Sequence, residues 1–239
     1  YLEKERQKWK LDKVVLDAGH GGHDPGARGN GLKEKDITLD VVKRLGKLIE
    51  TRTDIEVIYT RDTDVFVPLW ERTKIANEAG GKVFLSIHVN ANKNKRASGF
   101  ETYLLRPGKT DAAIAVAEME NAVIKLEKNV DQYNKLSAEQ LILATMAQSS
   151  FMQQSETLAD LTQSEFDKKL VGQNRGVKQA GFIVLIGASM PNVLIELGFI
   201  SNKNDARRLK QSAYRQKAAQ GIFDALMKYK TRHEKLLSP

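Results

Sequence analysis

The chain has 239 residues, of which 41% are apolar, and a formal net charge of +8. It contains no cysteine, which excludes disulfides, a cysteine nucleophile and thiolate metal ligands, and leaves His, Asp and Glu to hold any metal. The length suits one substantial core, no apolar run approaches the roughly 18 residues of a membrane span, and residues 1–10 lack the apolar core of a signal peptide.

Short apolar or β-branched stretches alternate with stretches of helical periodicity along the chain. The predicted strands, mostly bounded by Gly, Asn or Asp, are residues 13–18, 55–60, 83–88, 99–105, 182–185 and 192–197. Helical spacing of apolar residues predicts helices at residues 36–50, 69–79, 111–128, 138–152, 155–170 and 212–229. This alternation predicts an α/β fold, a single domain whose central, mostly parallel or mixed, six-stranded sheet is flanked by helices.

One region interrupts the alternation. Between residues 106 and 170 no strand is predicted, although a single crossover helix is enough to connect the strands on either side. We therefore predict a helical insertion at about residues 107–148, within a main domain at residues 13–230. Residues 1–12 are then an N-terminal extension and residues 231–239 a C-terminal tail.

Two of the four histidines stand at the ends of predicted strands. His20 lies in a glycine-rich turn, LDAGHGGHDPGARG (residues 16–29), and His88 closes the strand in FLSIHVNAN (residues 84–92). The strand ends on one side of an open α/β sheet form the crevice where ligands bind, so the two imidazoles are expected to converge. Two such histidines beside glycines and asparagines favour a metal site over two structural roles.

A third ligand is expected because hydrolytic zinc sites have three protein ligands and one open position, and a carboxylate joins two imidazoles in some of them. Glu34 is the candidate, since it lies fourteen residues after His20 and directly before a predicted helix. Spacing alone leaves Asp24, Asp36 and His23 open as alternatives.

The segment VLIELGFISN (residues 193–202) places Glu196 at the end of an otherwise apolar strand. An acid in such a place is costly unless it has a partner or a function. Beside a metal-activated water, Glu196 would act first as general base and then as general acid toward a leaving amine. The alternative is a structural salt bridge from Glu196 to Arg72 or Arg175.

Six segments follow one another between about residues 13 and 205: AGHGGHDPGARGNGLKEKDITLDV, TRDTDVFVPLWERTKIAN, FLSIHVNANKN, SGFETYLL, NRGVKQAGFIVL and MPNVLIELGFISN. This ordered set resembles the zinc-dependent N-acetylmuramoyl-L-alanine amidases of bacterial cell-wall turnover. The resemblance implies that His20, Glu34 and His88 bind Zn²⁺, that Glu196 is the catalytic glutamate, and that His23 has a supporting role. It also implies the reaction, hydrolysis of the amide bond between N-acetylmuramic acid and the L-alanine that begins the peptidoglycan stem peptide.

The predicted insertion resembles a feature of one subset of this family, from Gram-negative bacteria. In that subset an inserted helical segment covers the active site, and its glutamate occupies the open zinc position until a LytM-type activator protein moves it. AVAEMENAVIKLEKN (residues 115–129) resembles the blocking helix, which implies Glu120 as the inhibitory residue, with Glu118 and Glu127 as alternatives on the same stretch. The resemblance further implies a periplasmic, monomeric enzyme.

QLILATMAQSSFMQQS (residues 140–155) resembles a second inserted helix of the same subset. Its apolar residues at helical spacing are expected to pack on the inserted lobe or to present a partner surface, with packing as the default. These apolar residues are Leu141, Ile142, Leu143 and Met146.

Three other classes of protein are compatible with parts of the sequence. Another zinc amide hydrolase, such as a carboxypeptidase, needs an arginine clamp for a terminal carboxylate, and none is identifiable. A catalytically silent cell-wall-binding module would lack a ligand or the base, whereas all four residues are present. A polyanion-binding protein would use the positive charge, but the basic residues cluster only at 4–10, 93–96 and 228–235 without interleaved aromatics, so no nucleic-acid partner is expected.

Overall fold

The computed structural model describes residues 10–106, 108–127 and 150–236. Its centre is a six-stranded sheet with the order β4-β1-β5-β8-β6-β7. The strands of this sheet are β1 (Lys13–Ala18), β4 (Glu56–Tyr59), β5 (Val83–Asn90), β6 (Phe100–Leu105), β7 (Asn174–Ala180) and β8 (Asn192–Phe199). A separate short hairpin consists of β2 (Arg28–Gly29) and β3 (Leu32–Lys33). Neighbouring strands of the large sheet are parallel except for the antiparallel pair β6 and β8.

Six α-helices connect and cover these strands in the described residues. They are α1 (Glu34–Arg52), α2 (Leu69–Glu78), α3 (Asp111–Asn121), α4 (Met152–Lys169), α5 (Lys203–Lys210) and α6 (Ser212–Leu236). Two 3-10 helices, Ala122–Leu126 and Ile183–Leu185, complete the regular structure. None of the described helices is both long and apolar enough to cross a membrane.

The core lies on both faces of the sheet because side chains alternate along each central strand. Val14, Leu16 and Ala18 of β1 pack with α1, α4 and α6, whereas Val15 packs on the opposite face with α2 and α3. The strands β5 and β8 alternate in the same way. The result is a three-layer α/β domain in which α2 and α3 cover one face.

The predicted α/β class and the six-stranded mixed sheet are confirmed, but one strand was assigned to the wrong segment. Residues 182–185 were predicted as a strand and instead contain the 3-10 helix Ile183–Leu185; the sixth strand is β7. Phe182, Val184 and Leu185 are apolar because they pack against the face covered by α2 and α3. The strand β7 is polar in sequence because it lies at the sheet edge, where most of its residues are only half-buried.

The predicted helix at residues 111–128 ends earlier, at Asn121, and continues as the 3-10 helix Ala122–Leu126. Of the predicted insertion at residues 107–148, the structure describes residues 108–127. The predicted helix at residues 138–152 falls outside the described residues apart from 150–152, and so do Leu141, Ile142, Leu143 and Met146. The division into residues 1–12, 13–230 and 231–239 stays a prediction.

Candidate active site

Four buried side chains from separate parts of the chain meet at the carboxyl ends of β1 and β5. His20 follows β1, Glu34 is the first residue of α1, His88 lies in β5, and Glu120 lies in the last turn of α3. One ligand atom from each residue lies within 4.8 Å of the others. Two imidazoles and two carboxylates in this arrangement form a group that can hold a metal ion.

The two carboxylates approach the same pair of imidazoles. Glu34 places Oε2 at 3.0 Å from Nε2 of His20 and Oε1 at 3.0 Å from Nδ1 of His88. Glu120 places one oxygen, Oε2, at 3.0 Å from Nε2 of His20 and at 2.9 Å from Nδ1 of His88. A single oxygen of Glu120 thus lies at the point where the two imidazoles converge.

The glycines of the turn after β1 allow this close approach. A Cβ on Gly19 would lie 2.5 Å from Cε1 of His88, and a Cβ on Gly26 would lie 2.5 Å from Cδ2 of His20. His20 itself has a φ of 62°, a left-handed conformation that is uncommon for a residue with a side chain and is frequent at functional sites. The glycine-crowded turn therefore wraps the backbone tightly around His20.

Hydrogen bonds orient the ligand candidates. Nδ1 of His20 lies 2.7 Å from Oδ2 of Asp24, so its Nε2 faces the cluster. Glu34 accepts hydrogen bonds from the backbone N–H of Ala27 (2.8 Å) and of Val89 (2.7 Å). These contacts hold both side chains in place, and each oxygen of Glu34 that accepts a backbone N–H is also the oxygen that faces an imidazole.

The alternative ligands left open by spacing have other positions. Asp24 contacts His20 from outside the cluster, as described above. Asp36 is exposed on α1. His23 is also exposed, and its ring lies 4.1 Å from the ring of Phe66. The structure therefore brings together Glu34, and not these three residues, with the two imidazoles.

Two buried arginines fix the turn that carries His20. Arg72 donates to Oδ1 of Asp17 (2.8 Å) and to the backbone carbonyl of His20 (3.0 Å), and Arg61 donates to the carbonyl of Gly19 (2.9 Å). Burial alone would raise the pKa of Asp17, but the Arg72 guanidinium holds that pKa below its usual value. Sequence reasoning missed Arg61 and Asp17; their positions directly after β4 and within apolar β1 were the available signal.

Glu196 lies beside the cluster and has no structural partner among the described residues. It is the register neighbour of His88 in β5 and of Glu101 in β6, it is 0% exposed, and neither carboxylate oxygen accepts a hydrogen bond there. The salt-bridge alternative is wrong because Arg72 pairs with Asp17 and Arg175 with Glu101. Burial, with the nearby carboxylates of Glu120 and Glu34, raises the pKa of Glu196 well above its usual value.

Helix periodicity explains why Glu120 enters the cluster. The buried residues of α3 are Ala113, Val116, Ala117 and Glu120, a spacing of three and four residues that defines one helix face. Glu118 points to solvent. Glu127 is buried elsewhere and accepts a hydrogen bond from the N–H of Leu69 (2.9 Å). The spacing of the apolar residues in α3 was the sequence signal that favours Glu120 over Glu118 and Glu127.

The donor atoms of this group of four residues suit a cation. Nε2 of His20 and both oxygens of Glu120 are buried without a hydrogen bond in the described part of the chain. Burial would lower the pKa of His88, but the carboxylates of Glu120 and Glu34 raise it to about 9. The site thus favours a positive charge between its carboxylates, and a divalent metal ion fits this donor set.

An α/β sheet with His and Glu side chains that could hold a metal ion at its strand ends is an arrangement suited to a hydrolase, and comparison with known proteins identifies the family. Residues 14–228 match the family model described as N-acetylmuramoyl-L-alanine amidase. The chain belongs to this family of amide hydrolases.

Individual relatives agree with this assignment. The N-acetylmuramoyl-L-alanine amidase AmiA of Escherichia coli is 34% identical over 221 residues, which cover 90% of this chain and 75% of AmiA. The amidase LytC of Bacillus subtilis is 34% identical over 218 residues, 91% of this chain but only 35% of LytC. Among solved structures, amidase AmiC2 of Nostoc punctiforme superposes with a TM-score of 0.67 and 29% identity, covering 91% of this chain and 96% of AmiC2.

Proposed function

We propose that the chain is a zinc-dependent enzyme that hydrolyses the amide bond between N-acetylmuramic acid and L-alanine in peptidoglycan. His20, Glu34 and His88 hold Zn²⁺, and Glu196 is the catalytic residue. The observation that supports this assignment is the convergence of these side chains, with unpartnered buried atoms, at one sheet edge of an amidase-family chain.

The residues of the chain divide the chemistry between them. Zinc held by His20, Glu34 and His88 would supply Lewis acidity toward the scissile carbonyl and a water molecule. Glu196 takes a proton from the attacking water and donates it to the amide nitrogen that leaves on L-alanine. Burial raises the pKa of Glu196 above its usual value, which makes its carboxylate a stronger acceptor for a proton from water. Asp24 keeps Nε2 of His20 directed at the metal position.

We further propose that α3 inhibits the enzyme from within the chain. The oxygen of Glu120 that approaches both imidazoles lies where a substrate carbonyl or the attacking water would have to bind. An activator, of the LytM type by resemblance, then increases activity by binding preferentially to the state in which α3 is displaced. In this scheme the enzyme acts as a monomer in the periplasm during cell-wall remodelling and cell separation.

Digestion of purified peptidoglycan by the zinc-loaded Glu120→Ala chain, in which the proposed inhibition is relieved, tests the proposed reaction. Mass spectrometry should detect newly formed N-terminal L-alanine on released stem peptides. Release of a free C-terminal amino acid instead would indicate a carboxypeptidase. Tight binding without any cleavage, by the parent and by a chain relieved of Glu120, would indicate a catalytically silent wall-binding module.

Removal of the metal is expected to abolish cleavage and to destabilise the fold. Because zinc binds the folded site, a hundredfold excess over its dissociation constant contributes about 2.7 kcal/mol, which corresponds to roughly 5–10 °C in melting temperature for a domain of this size. Calorimetry of the protein with zinc and with a chelator measures this shift. His88→Ala is the matched control, and an equal zinc-induced shift in that variant would contradict the assigned ligands.

Asp24→Ala is expected to weaken zinc binding by roughly 10- to 100-fold, the usual effect of removing the carboxylate that orients a metal-binding histidine. The variant leaves every proposed ligand in place, so zinc saturation should restore cleavage. Competition with a chromophoric chelator gives the dissociation constant. Unchanged affinity would show that the 2.7 Å contact with His20 does not support metal binding.

A further inference from the structure

A cavity lies at the same edge of the sheet as the metal-ligand candidates His20, Glu34 and His88. Its volume is about 350 Å³. Its walls come from residues 28–30 between β1 and α1, from Lys95 between β5 and β6, and from residues 201–204, which lead from β8 into the first turn of α5. The same three strands and connections carry the cluster and Glu196. Ala27, whose N–H binds Glu34, directly precedes Arg28 of the cavity wall.

Unpaired positive charge surrounds this cavity. Arg28, Lys95 and Lys203 line it and are exposed. Lys33, also exposed, faces Arg28 across the β2–β3 hairpin. In the part of the chain that the structure describes, the ion pairs all involve other residues. A concave site lined by charge of one sign attracts a ligand of the opposite sign.

The walls of the cavity are held to one another by hydrogen bonds between the three connections. Nδ2 of Asn30 donates to the carbonyl of Ile200 (2.8 Å), and Nδ2 of Asn202 donates to the carbonyl of Lys95 (2.9 Å). The N–H of Asn92 donates to Oγ of Ser201 (3.0 Å). The cationic side chains therefore extend from an ordered backbone, which lowers the cost of arranging them around a ligand.

We infer that this cavity is the subsite for the acidic part of the stem peptide, in which Arg28, Lys95 and Lys203 bind a carboxylate beyond the L-alanine. The inference rests on the proposed amidase function. A guanidinium matches a carboxylate with two parallel hydrogen bonds, and the cavity volume lies at the lower end of the roughly 300–1,000 Å³ typical of ligand sites.

The cavity is also within reach of the scissile bond. Ser201 follows Glu196 by five residues, so their Cα atoms are separated by at most about 18 Å, the length of roughly five extended peptide residues. On the other wall, the N–H of Ala27 lies 2.8 Å from Oε2 of Glu34, and the Cα of Arg28 is only about 3.8 Å from that of Ala27, so the cavity wall begins next to a metal-ligand candidate. A carboxylate in this part of the peptide carries a negative charge that the corresponding amide lacks, and Arg28 and the lysines would distinguish the two.

The test uses the full chain carrying Glu120→Ala, to relieve the proposed block, and two synthetic muramyl peptides that differ only in amidation of the second stem residue. The parent of this series should cleave the free-acid peptide with a KM about tenfold below that of the amide, a typical effect of one charge-assisted contact. Arg28→Gln and the double variant Lys95→Gln/Lys203→Gln should remove this difference with kcat unchanged. The control is Lys43→Gln, which replaces an exposed lysine on α1 outside the cavity. It should preserve the difference in KM between the acid and the amide.

A binding measurement without turnover separates the two proposals. Free stem tripeptide, as acid or amide, is titrated calorimetrically into the same variants. Acid-selective binding that disappears in Arg28→Gln would support the subsite even where no variant cleaves peptidoglycan, an outcome that would refute only the amidase proposal. Equal affinity of the parent for acid and amide would overturn the subsite. Equal losses of affinity for both peptides in Arg28→Gln, together with a similar loss of DNA binding, would also overturn the subsite. That result would identify a nonspecific basic surface.

Discussion

Replacing Glu120 by alanine is expected to increase peptidoglycan cleavage by between about tenfold and a thousandfold, the range that corresponds to an open state populated at roughly 0.1–10%. The reason is the position of one oxygen, Oε2, at 3.0 Å from Nε2 of His20 and 2.9 Å from Nδ1 of His88. Its removal opens the metal position without removing a proposed ligand. Release of stem peptides from purified peptidoglycan, measured by mass spectrometry at saturating zinc, gives the ratio of the two rates.

Glu118→Ala is the matched control for this experiment, because Glu118 lies on the same helix and faces solvent. It should leave the rate of the parent protein unchanged. If Glu120→Ala and Glu118→Ala both cleave at the rate of the parent, Glu120 does not inhibit the enzyme. A LytM-type activator should stimulate the parent protein strongly and the Glu120→Ala variant little, since that variant has already lost the contact that the activator removes.

Replacing Glu196 by glutamine in the Glu120→Ala chain is expected to lower kcat by roughly 10²- to 10⁴-fold, the usual contribution of a general acid–base residue. The amide has nearly the same shape as the carboxyl group but accepts no proton from water. Zinc content, measured by atomic absorption, should remain the same, because Glu196 is outside the group of four ligand candidates. A variant that retains zinc and full activity would assign the proton transfer to another residue.

The pH profile provides an independent measure of the same role. Burial, the largest cause of the raised pKa of Glu196, remains when the Glu120 carboxylate is removed, and a general base works only when it is deprotonated. Activity of the Glu120→Ala chain should therefore fall as the pH decreases through that raised pKa. The residual activity of the chain that also carries Glu196→Gln should lack this acidic limb. The two profiles would have the same acidic limb if a group other than Glu196 controlled the rate.

The amino-acid sequence was sufficient for the class of fold and for the kind of chemistry. Apolar strands alternate with amphipathic helices. His20 follows β1, and His88 and Glu196 lie in the carboxyl-terminal halves of β5 and β8, where parallel topology brings distant residues together. The sequence reading placed one strand at residues 182–185, because burial makes a 3-10 helix as apolar as a strand. The edge strand β7 went unrecognised, since it lacks the apolar pattern on which the prediction depends.

Tertiary structure decided which of several similar residues meet. Spacing left Asp24 open as an alternative to the candidate Glu34, and only the folded turn shows Glu34 facing both imidazoles while Asp24 contacts His20 from outside. Glu196 had two possible arginine partners, and in the structure both pair with other carboxylates. Distances between side chains far apart in the chain depend on how strands and helices pack, and local sequence patterns do not contain that information. The sequence by itself therefore determined the residue types and the sheet edge where they gather, whereas three-dimensional packing decided their partners and the burial that shifts their pKa values.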